Sequence, residues 1–255
     1  MIPKVIHYCW FGGGPKPRSV LKCIDSWKTY CPDYDIKEWT ENDLNFALNQ
    51  YAKEAYESKA WGFVPDYWRL WIIYNYGGIY FDTDVQIIRR LDVLLKLHAF
   101  AGMETNEFVN FGSGFGAEPK NDIIKEHMDL YEKLHFINED GTLNRLPSPF
   151  YTTEIMKTHG FELGKEKIQK VGSFTVFPPE YFCPKSYATG ITTITKNTLS
   201  IHHFDSSWLT EEERRRKMKR WKLAKKDMIM HIPNRIARKV VGDRVYDYVK
   251  KTFKK

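Results

Sequence analysis

The sequence predicts an α/β protein with a mainly parallel sheet between layers of helices. Over the first third of the chain, short β-prone runs alternate with amphipathic helical segments in the order β-α-β-α-α-β. A second indication is the stretch GGIYF, where Gly77 and Gly78 separate a helix from a run too uniformly apolar to be an exposed strand. The length of 255 residues suits one domain of this kind with a small appendage.

The first elements follow from hydrophobic periodicity. Residues 4–11 and 34–39 have the pattern of strands, and residues 20–30 form an amphipathic helix between them. Residues 43–59 carry apolar side chains along one helical stripe. A further helix opens at Pro65, because the first turn of a helix does not need the N–H that proline lacks.

The later part of the chain is less regular. We expect strands at residues 85–88, 98–104, 110–117, 174–177 and 198–203, and helices at residues 91–97, 121–135 and 151–159. The glycines between residues 110 and 117 allow a ligand or another backbone to approach closely. We therefore expect one domain over residues 1–208, followed by a tail over residues 209–255.

The net charge of +7 is concentrated in this tail. Residues 211–255 hold 17 Lys and Arg against 6 Asp and Glu, whereas residues 1–210 hold 22 against 26. Thr210 is expected to cap a helix that starts at Glu211, and a second, amphipathic helix is expected after Pro233. Such a tail either packs on the domain as a solvated hairpin or lies on an anionic membrane, and we favour the membrane. Nucleic-acid binding is disfavoured, because no recognised nucleic-acid module accompanies the charge.

Cysteine usage and hydropathy indicate a cytoplasmic protein. The four cysteines show no CxxC spacing, so inert thiols in a reducing compartment are expected rather than a zinc site. The N-terminus shows no secretory signal, and no window reaches the roughly 18 apolar residues that a membrane-spanning helix needs. Together with the basic tail, these observations predict a peripheral position at the inner face of the membrane.

Two carboxylates at the end of a buried strand are the strongest chemical signal. Asp82 and Asp84 close the run IYFDTD and project to the same side if the strand continues through them. Charges at such a place are costly unless a divalent cation compensates them. On the preceding helix, Asp66 and Arg69 are spaced i,i+3 and share a face, which alone is typical of a surface salt bridge.

Other polar positions converge on these carboxylates if the strands share a sheet. His202 and His203 follow a late strand, and imidazole suits borderline metals, although a single histidine is more often a packed core residue. Trp10 ends the first strand, and Gly12 begins a glycine turn of the kind that holds nucleotides in α/β sheets. Most glycine turns bind no ligand, so this signal is weak alone.

With these motifs in place, the sequence resembles the family-32 glycosyltransferases. These enzymes carry a DXD sugar-binding region and include capsular-polysaccharide enzymes and initiating α-mannosyltransferases, and the glucosylating bacterial toxins are similar more distantly. The resemblance rests on IPKVIHYCWFGG, FVPDYWRLWIIYNYGGIYFDTDV and HHFDSSW, which anchor residues 2–208, while residues 105–195 match loosely. It implies a GT-A type, Rossmann-like fold, a nucleotide-diphosphate sugar as donor, Mn²⁺ or Mg²⁺, and retention of anomeric configuration.

The resemblance also assigns roles to matching positions. It implies that Trp10 stacks on the nucleotide base and that Asp66 holds ribose or donor-sugar hydroxyls. It places Arg69 near the sugar and the diphosphate, Asp82 near ribose and metal, and Asp84 on the metal itself.

Two positions near residue 208 complete the implied site. Ser206 and Trp208 match a Ser-x-Trp that closes over the diphosphate. His203 falls where the toxins carry a carboxylate metal ligand and where many other GT-A enzymes carry a histidine. His203 is therefore the predicted third ligand, with His202 as the fallback.

The leading hypothesis is a metal-dependent, retaining glycosyltransferase that moves a sugar from a nucleotide diphosphate onto a saccharide or lipid-linked glycan. A glycosidase is disfavoured, because Asp82 and Asp84 on one strand cannot flank a scissile bond from both sides. A metal-dependent phosphotransferase or nucleotidyltransferase with the same carboxylates stays open. So does a carbohydrate-binding or membrane scaffold protein without turnover.

Overall fold

A computed structural model of the chain describes residues 1–206 and 208–241, with side chains described as far as residue 228. The strands are β1 Val5–Cys9, β2 Asp35–Trp39, β3 Gly78–Tyr80, β4 Val85–Ile87, β5 Ala99–Thr105, β6 Phe108–Ala117, β7 Gln169–Val171, β8 Phe174–Phe177 and β9 Ser200–His202. The α-helices are α1 Arg18–Tyr30, α2 Gln50–Glu57, α3 Pro65–Tyr76, α4 Asp122–Tyr131, α5 Ser148–Thr158, α6 Pro179–Phe182 and α7 Glu211–Val241.

A seven-stranded sheet in the order β2-β1-β3-β6-β5-β8-β7 forms the centre of the larger unit. β1 pairs in parallel with β2 and β3, and β5 pairs in parallel with β8. The remaining neighbours are antiparallel. One apolar core lies between the sheet and helices α2 to α5, and a second lies against α1. The predicted α/β fold class is confirmed.

A buried histidine fixes the turn by which α3 enters β3. Trp39 Nε1 donates to His7 Nδ1 at 3.1 Å, so the ring proton is on Nε2, which donates to the Gly77 carbonyl at 3.0 Å. Burial lowers the pKa of His7 to about 4, so the ring is neutral. A Cβ on Gly78, whose φ is +99°, would lie 2.9 Å from both His7 Nε2 and the Val5 carbonyl. The glycine is therefore required by this close approach.

Two predicted helices differ from the structure. Residues 43–59 form a 3₁₀ helix, Phe46–Leu48, followed by α2. Asn45 and Asn49 accept hydrogen bonds from Ala47 N–H and Ala52 N–H, and these side-chain caps divide the segment. Residues 91–97 form successive turns closed by i→i−3 hydrogen bonds, and three of their leucines are buried in the core.

The sequence indicates that residues 85–88 extend the large sheet, but the structure places this segment elsewhere. β4 instead pairs antiparallel with β9 in a separate two-stranded sheet, with Val85 opposite His202. Strand β7 and the short helix α6 had no distinct sequence signal, since they lie in an irregular region rich in proline and aromatic residues.

The four cysteines are free and buried. Burial raises the pKa of Cys9 and of Cys23 to about 12, and it also raises the pKa of Cys31 and Cys183. The prediction of inert thiols is consistent with these surroundings.

The described chain separates into two compact units. The first comprises residues 1–185 and 193–208, and the second comprises residues 186–192 together with the chain from Leu209. The predicted domain boundary at residue 208 stays a prediction.

Helix α7 dominates the second unit. As predicted, Thr210 caps it: the hydroxyl of Thr210 accepts from Glu213 N–H at 3.3 Å, and the Glu213 carboxylate accepts from Thr210 N–H at 2.7 Å. Within this unit Trp221 Nε1 donates to the Tyr187 carbonyl at 2.8 Å. The helix continues through Pro233 to Val241, so the predicted break at the proline is wrong. The expected apolar and basic positions after residue 241 lie outside the described residues.

In the part of the chain that the structure describes, no helix combines the length and apolarity required to cross a membrane.

Candidate active site

A buried ion pair on the first turns of α3 forms one wall of the site. The side chains of Asp66 and Arg69 are 3% and 4% exposed, and Asp66 Oδ1 lies 2.9 Å from an Arg69 guanidinium nitrogen. Arg69 Nε donates to the Pro65 carbonyl at 3.2 Å, and Nη1 lies 3.5 Å from Ser148 Oγ at the start of α5. Burial raises the pKa of Asp66 to about 7, although Arg69 opposes that rise. A pair this deeply buried is not the surface salt bridge that i,i+3 spacing alone suggests.

Arg69 also reaches the first of the two predicted carboxylates. Its guanidinium lies 3.3 Å from Asp82 Oδ1, and the Asp82 side chain is 30% exposed at the end of β3. Asp82 N–H donates to the Gly112 carbonyl at 3.0 Å, which fixes the backbone against β6. Val85 N–H then donates to the Asp82 carbonyl at 3.1 Å, so residues 82–85 form a turn and not a continuing strand. The turn, rather than strand periodicity, brings Asp84 to the same place.

Asp84 directly precedes β4 and is in contact with His202 of β9 and with two residues that follow β9. Its side chain is 14% exposed, and its Oδ1 lies 3.2 Å from His202 Nε2. Its Oδ2 accepts from Asp205 N–H at 2.8 Å, and its backbone carbonyl accepts from His203 N–H at 2.9 Å. Burial disfavours the ionised carboxyl, but His202 and the Asp205 N–H together lower the pKa of Asp84 to about 2. The same contact raises the pKa of His202 well above its ordinary value, against the effect of burial.

The structure favours His202, the fallback, over His203 as the third member of the cluster. Side chains alternate across β9 and the residue after it, so the two imidazoles face opposite ways. His202 is buried beside Asp84, and its Nδ1 lies 4.0 Å from Cys183 Sγ. His203 Nε2 instead lies 3.0 Å from Gln86 Oε1.

Asp82, Asp84 and His202 fit a divalent metal. Each offers one ligand atom, and these atoms all lie within 4.8 Å of one another. Carboxylate oxygens suit Mg²⁺ and Mn²⁺, and imidazole is acceptable to Mn²⁺ in particular. Opposite ligands of such an ion are separated by about 4.2 Å, twice the usual metal–oxygen distance, so only small movements are needed.

Trp10 and Gly12, which were predicted to contact the nucleotide, lie in the segment that follows β1. Trp10 Nε1 donates to the Gly14 carbonyl at 2.8 Å, and Lys16 Nζ lies 5.6 Å from the centre of its ring. Gly12 has a φ of +85°, and a Cβ there would lie 3.0 Å from the indole of Trp61. Trp61 was not singled out from the sequence, because a tryptophan before a helix has no distinguishing pattern.

Ser206 and Trp208 lie after β9 on a strained segment. Phe204 and Ser206 have φ values of +58° and +52°, which residues other than glycine rarely adopt. Trp208 packs edge-on against Phe63 with 6.3 Å between ring centres, and Arg145 donates to the Trp208 carbonyl at 2.6 Å. Trp208 also lines a cavity of about 240 Å³, together with Lys59, Ala60, Trp61, Phe63, Phe136, Leu143 and Arg145.

The structure thus assembles Asp66, Arg69, Asp82, Asp84 and His202 into one chain of contacts. Asp82 and Asp84 form an Asp-x-Asp motif after a central strand of an α/β sheet. Residues 17–101 match the family described as the glycosyltransferase sugar-binding region containing a DXD motif. This match confirms, over these residues, the resemblance predicted from the sequence.

The chain is also similar to named relatives. The chain is 34% identical over 110 residues to inositol phosphoceramide mannosyltransferase 3 of Schizosaccharomyces pombe, covering 39% of this chain and 29% of the relative. It is 26% identical over 224 residues to the mannosyl phosphorylinositol ceramide synthase SUR1 of Saccharomyces cerevisiae, covering 82% of this chain and 54% of the relative. The chain thus spans about a third to a half of the length of these two proteins.

Two solved structures are also similar. PaToxG Glycosyltransferase superposes with a TM-score of 0.49 at 18% identity, covering 62% of this chain and 68% of that chain. A glycosyltransferase involved in glycosylation of the major capsid of PBCV-1 superposes with a TM-score of 0.48 at 15% identity, covering 85% and 100%.

Proposed function

We propose that the protein is a metal-dependent, retaining glycosyltransferase that uses a nucleotide-diphosphate sugar. The observation that carries this proposal is the Asp82–Asp84–His202 cluster, joined through Arg69 to the buried carboxylate of Asp66. The match of residues 17–101 to a DXD sugar-binding region supports it.

Each part of this arrangement has a chemical task. Mn²⁺ or Mg²⁺ would be held by Asp82, Asp84 and His202, and when bound it supplies positive charge for the diphosphate leaving group. Arg69 adds a fixed positive charge on the side of Asp82. Asp66 accepts hydrogen bonds from sugar hydroxyls, and its ion pair with Arg69 keeps both side chains in one orientation.

The proposed reaction forms one bond at the anomeric carbon and breaks another. An acceptor hydroxyl oxygen bonds to the anomeric carbon while the bond from that carbon to the β-phosphate oxygen breaks. The leaving diphosphate keeps the bonding electron pair and takes the proton of the acceptor hydroxyl on the same face, which retains configuration. Trp10 stacks on the base of the donor, beside the turn at Gly12, and Ser206 with Trp208 closes over the diphosphate.

The relatives narrow the substrates that we propose. Their names specify mannosyl transfer to inositol phosphoceramide, so nucleotide-linked mannose is the first donor to test and a saccharide or lipid-linked glycan is the acceptor class. A role in polysaccharide biosynthesis, such as capsule formation, fits the same chemistry.

A donor-hydrolysis assay tests the proposal. The purified chain is incubated with GDP-mannose, UDP-glucose and related nucleotide sugars, with Mn²⁺, with Mg²⁺ or with EDTA. Metal-dependent release of a nucleoside diphosphate and a free sugar of retained configuration is expected. A nucleoside monophosphate product would indicate phosphoryl chemistry instead, and no turnover of any donor would favour a binding or scaffold protein.

We also propose that the basic tail places the enzyme on an anionic membrane surface, at its cytoplasmic face. Between residues 214 and 226, α7 exposes Arg214, Arg215, Arg216, Lys219, Arg220, Lys222, Lys225 and Lys226. Each basic group near an anionic surface contributes about 1 kcal/mol. We expect the chain to sediment with phosphatidylserine vesicles at low salt and not with phosphatidylcholine vesicles.

Charge reversal tests this part separately. The double change Lys222→Glu and Lys226→Glu should weaken vesicle binding, whereas Lys28→Glu on α1 should not. Equal binding to neutral and anionic vesicles would contradict the proposal.

A further inference from the structure

A polar network on β5 and β6 lies beside the carboxylate cluster and has no role in the reaction as described. Asn110, buried within β6, donates through Nδ2 to Glu104 Oε2 at 2.6 Å. Its Oδ1 accepts from Gly112 N–H at 2.7 Å. Both polar ends of Asn110 are therefore committed, one to the backbone and one to a carboxylate, and the Glu104 side chain is fixed in direction.

A β-bulge determines the direction of the Glu104 side chain. β5 and β6 pair with register shifts between Ala101 and Gly102 and again between Met103 and Thr105, so Glu104 lies within a β-bulge. Bulges next to functional sites redirect a side chain that regular pairing would send elsewhere. Glu104 is half-buried, and in the described chain no donor lies within hydrogen-bond distance of its other oxygen, Oε1.

This network reaches the site beside Asp82. A Cβ built on Gly112 would lie 2.2 Å from Asp82 Oδ2 and 3.0 Å from Asn110 Oδ1, so both oxygens border the same small space. Asn110 therefore connects Glu104, to which its Nδ2 donates, with the carboxylate of Asp82.

Glu104 differs from Asp66 in its partner: Asp66 is paired with Arg69, whereas Glu104 accepts a hydrogen bond from Asn110. Arg69 lies between Asp66 and Asp82, on the α3 side of the cluster. Glu104 lies on the β5–β6 side, where the structure describes no guanidinium or ammonium group paired with it. A half-buried carboxylate with one oxygen available and no cation beside it is suited to accept from a neutral hydroxyl.

We propose that Glu104 binds a hydroxyl of the acceptor, and that Asn110 positions it for this contact. The inference rests on the proposed glycosyl transfer and adds to it the class of acceptor: a polyol or saccharide whose hydroxyl donates to Glu104 Oε1. Glu104 takes no proton in this scheme, since the leaving diphosphate receives it. Gly112 allows the Asp82 carboxylate to lie against the β6 backbone, since a Cβ there would be 2.2 Å from Asp82 Oδ2.

The change Glu104→Gln tests the contact with little change of shape. The glutamine carbonyl can still accept from Asn110 Nδ2, but the other position becomes an N–H donor that cannot accept from a hydroxyl. Loss of a charged hydrogen bond predicts a decrease of about tenfold or more in kcat/KM for the acceptor. Glu107→Gln, on the exposed turn of the same hairpin, is the matched control.

The measurement compares transfer with hydrolysis of the same donor. Octyl α-mannoside, phosphatidylinositol in detergent micelles and concentrated glycerol serve as acceptors, and thermal unfolding is recorded for each variant. The proposal predicts that Glu104→Gln lowers the ratio of transfer to hydrolysis, with an unfolding temperature close to that of the native chain and of Glu107→Gln.

Two results would overturn the proposal: an unchanged ratio, which includes an equal loss of both reactions, or no transfer by the native chain to any of these hydroxyl acceptors while it hydrolyses donor. If the native chain neither binds nor hydrolyses any donor, the proposed function fails and not this assignment alone. If Glu104→Gln does not fold, Glu104→Asp is measured in its place. Because its side chain is shorter, the ratio of transfer to hydrolysis is still expected to be lower than in the native chain.

Discussion

The large sheet and the two-stranded sheet each supply part of the Asp82–Asp84–His202 cluster, and they hold their parts differently. Asp82 follows β3, which has a strand on either side in the seven-stranded sheet. Its carboxylate is nevertheless 30% exposed. Asp84 directly precedes β4 and His202 ends β9, strands of three residues each, yet Asp84 is only 14% exposed.

The small sheet depends on a few anchors to the rest of the unit. Trp27 Nε1 on α1 donates to the Val85 carbonyl at 2.7 Å, and Ser26 Oγ accepts from Ile87 N–H at 3.0 Å. A two-stranded pair is marginally stable alone, so these hydrogen bonds contribute a larger share of its stability than similar bonds would for a central strand. Asp84, the better enclosed of the two carboxylates in the cluster, therefore lies next to the sheet with fewer paired strands.

The largest effect is expected from Asp84. Asp84→Asn removes the enclosed anionic oxygen, so Mn²⁺ affinity and donor hydrolysis should fall by about a hundredfold or more, with the fold intact. Asp205→Asn is the matched control, because Asp205 contributes only its backbone N–H to Asp84. Mn²⁺ titration calorimetry and the hydrolysis assay measure both, and full activity of the Asp84 variant would refute the metal assignment.

The two neighbouring histidines should differ strongly. His202→Gln should lower Mn²⁺ affinity by about tenfold or more, because His202 Nε2 faces Asp84. His203→Gln should change it by less than about twofold, since that ring faces Gln86. Titrating both variants with Mn²⁺ decides the order, and a larger effect at His203 would restore the original sequence prediction.

The smallest effect is expected from the anchor between α1 and β4. Trp27→Phe leaves the buried Val85 carbonyl without its donor, which should lower the free energy of unfolding by about 1–3 kcal/mol. A modest decrease in Mn²⁺ affinity should accompany it.

Trp39→Phe provides the comparison from the large sheet. It removes a similar indole donor, the one to His7, so stability should fall while Mn²⁺ affinity does not. Urea unfolding and Mn²⁺ titration of both variants separate the two sheets, and equal metal affinities would show that the anchor does not influence the cluster.

Local patterns predicted the parts of the fold that local chemistry decides. The Pro65 helix, the Gly77–Gly78 break and the run into Asp82 lie where periodicity placed them. Patterns that ignore side-chain caps and tertiary pairing did less well. Residues 43–59 were divided by two asparagine caps, and residues 85–88 joined a different sheet.

The site shows the same limit at the level of single residues. Sequence spacing singled out Asp66, Arg69, Asp82 and Asp84, which lie on one helix and just after the strand that follows it. The choice between His202 and His203 depends on the register of β9 against β4, a long-range pairing that no local pattern specifies. Glu104 had no signal at all, because its direction depends on a bulge between β5 and β6.

The burial of all four cysteines has a practical consequence. A thiol reacts with alkylating reagents as the thiolate, and in the native chain each of the four is both inaccessible and shifted towards the protonated form. Cys9 lies in β1, Cys23 in α1, Cys31 at the end of that helix, and Cys183 just after α6. Iodoacetamide will therefore label each position only when its own segment opens. Mass spectrometry of a labelling time course would follow the unfolding of four parts of the native sequence without an added probe.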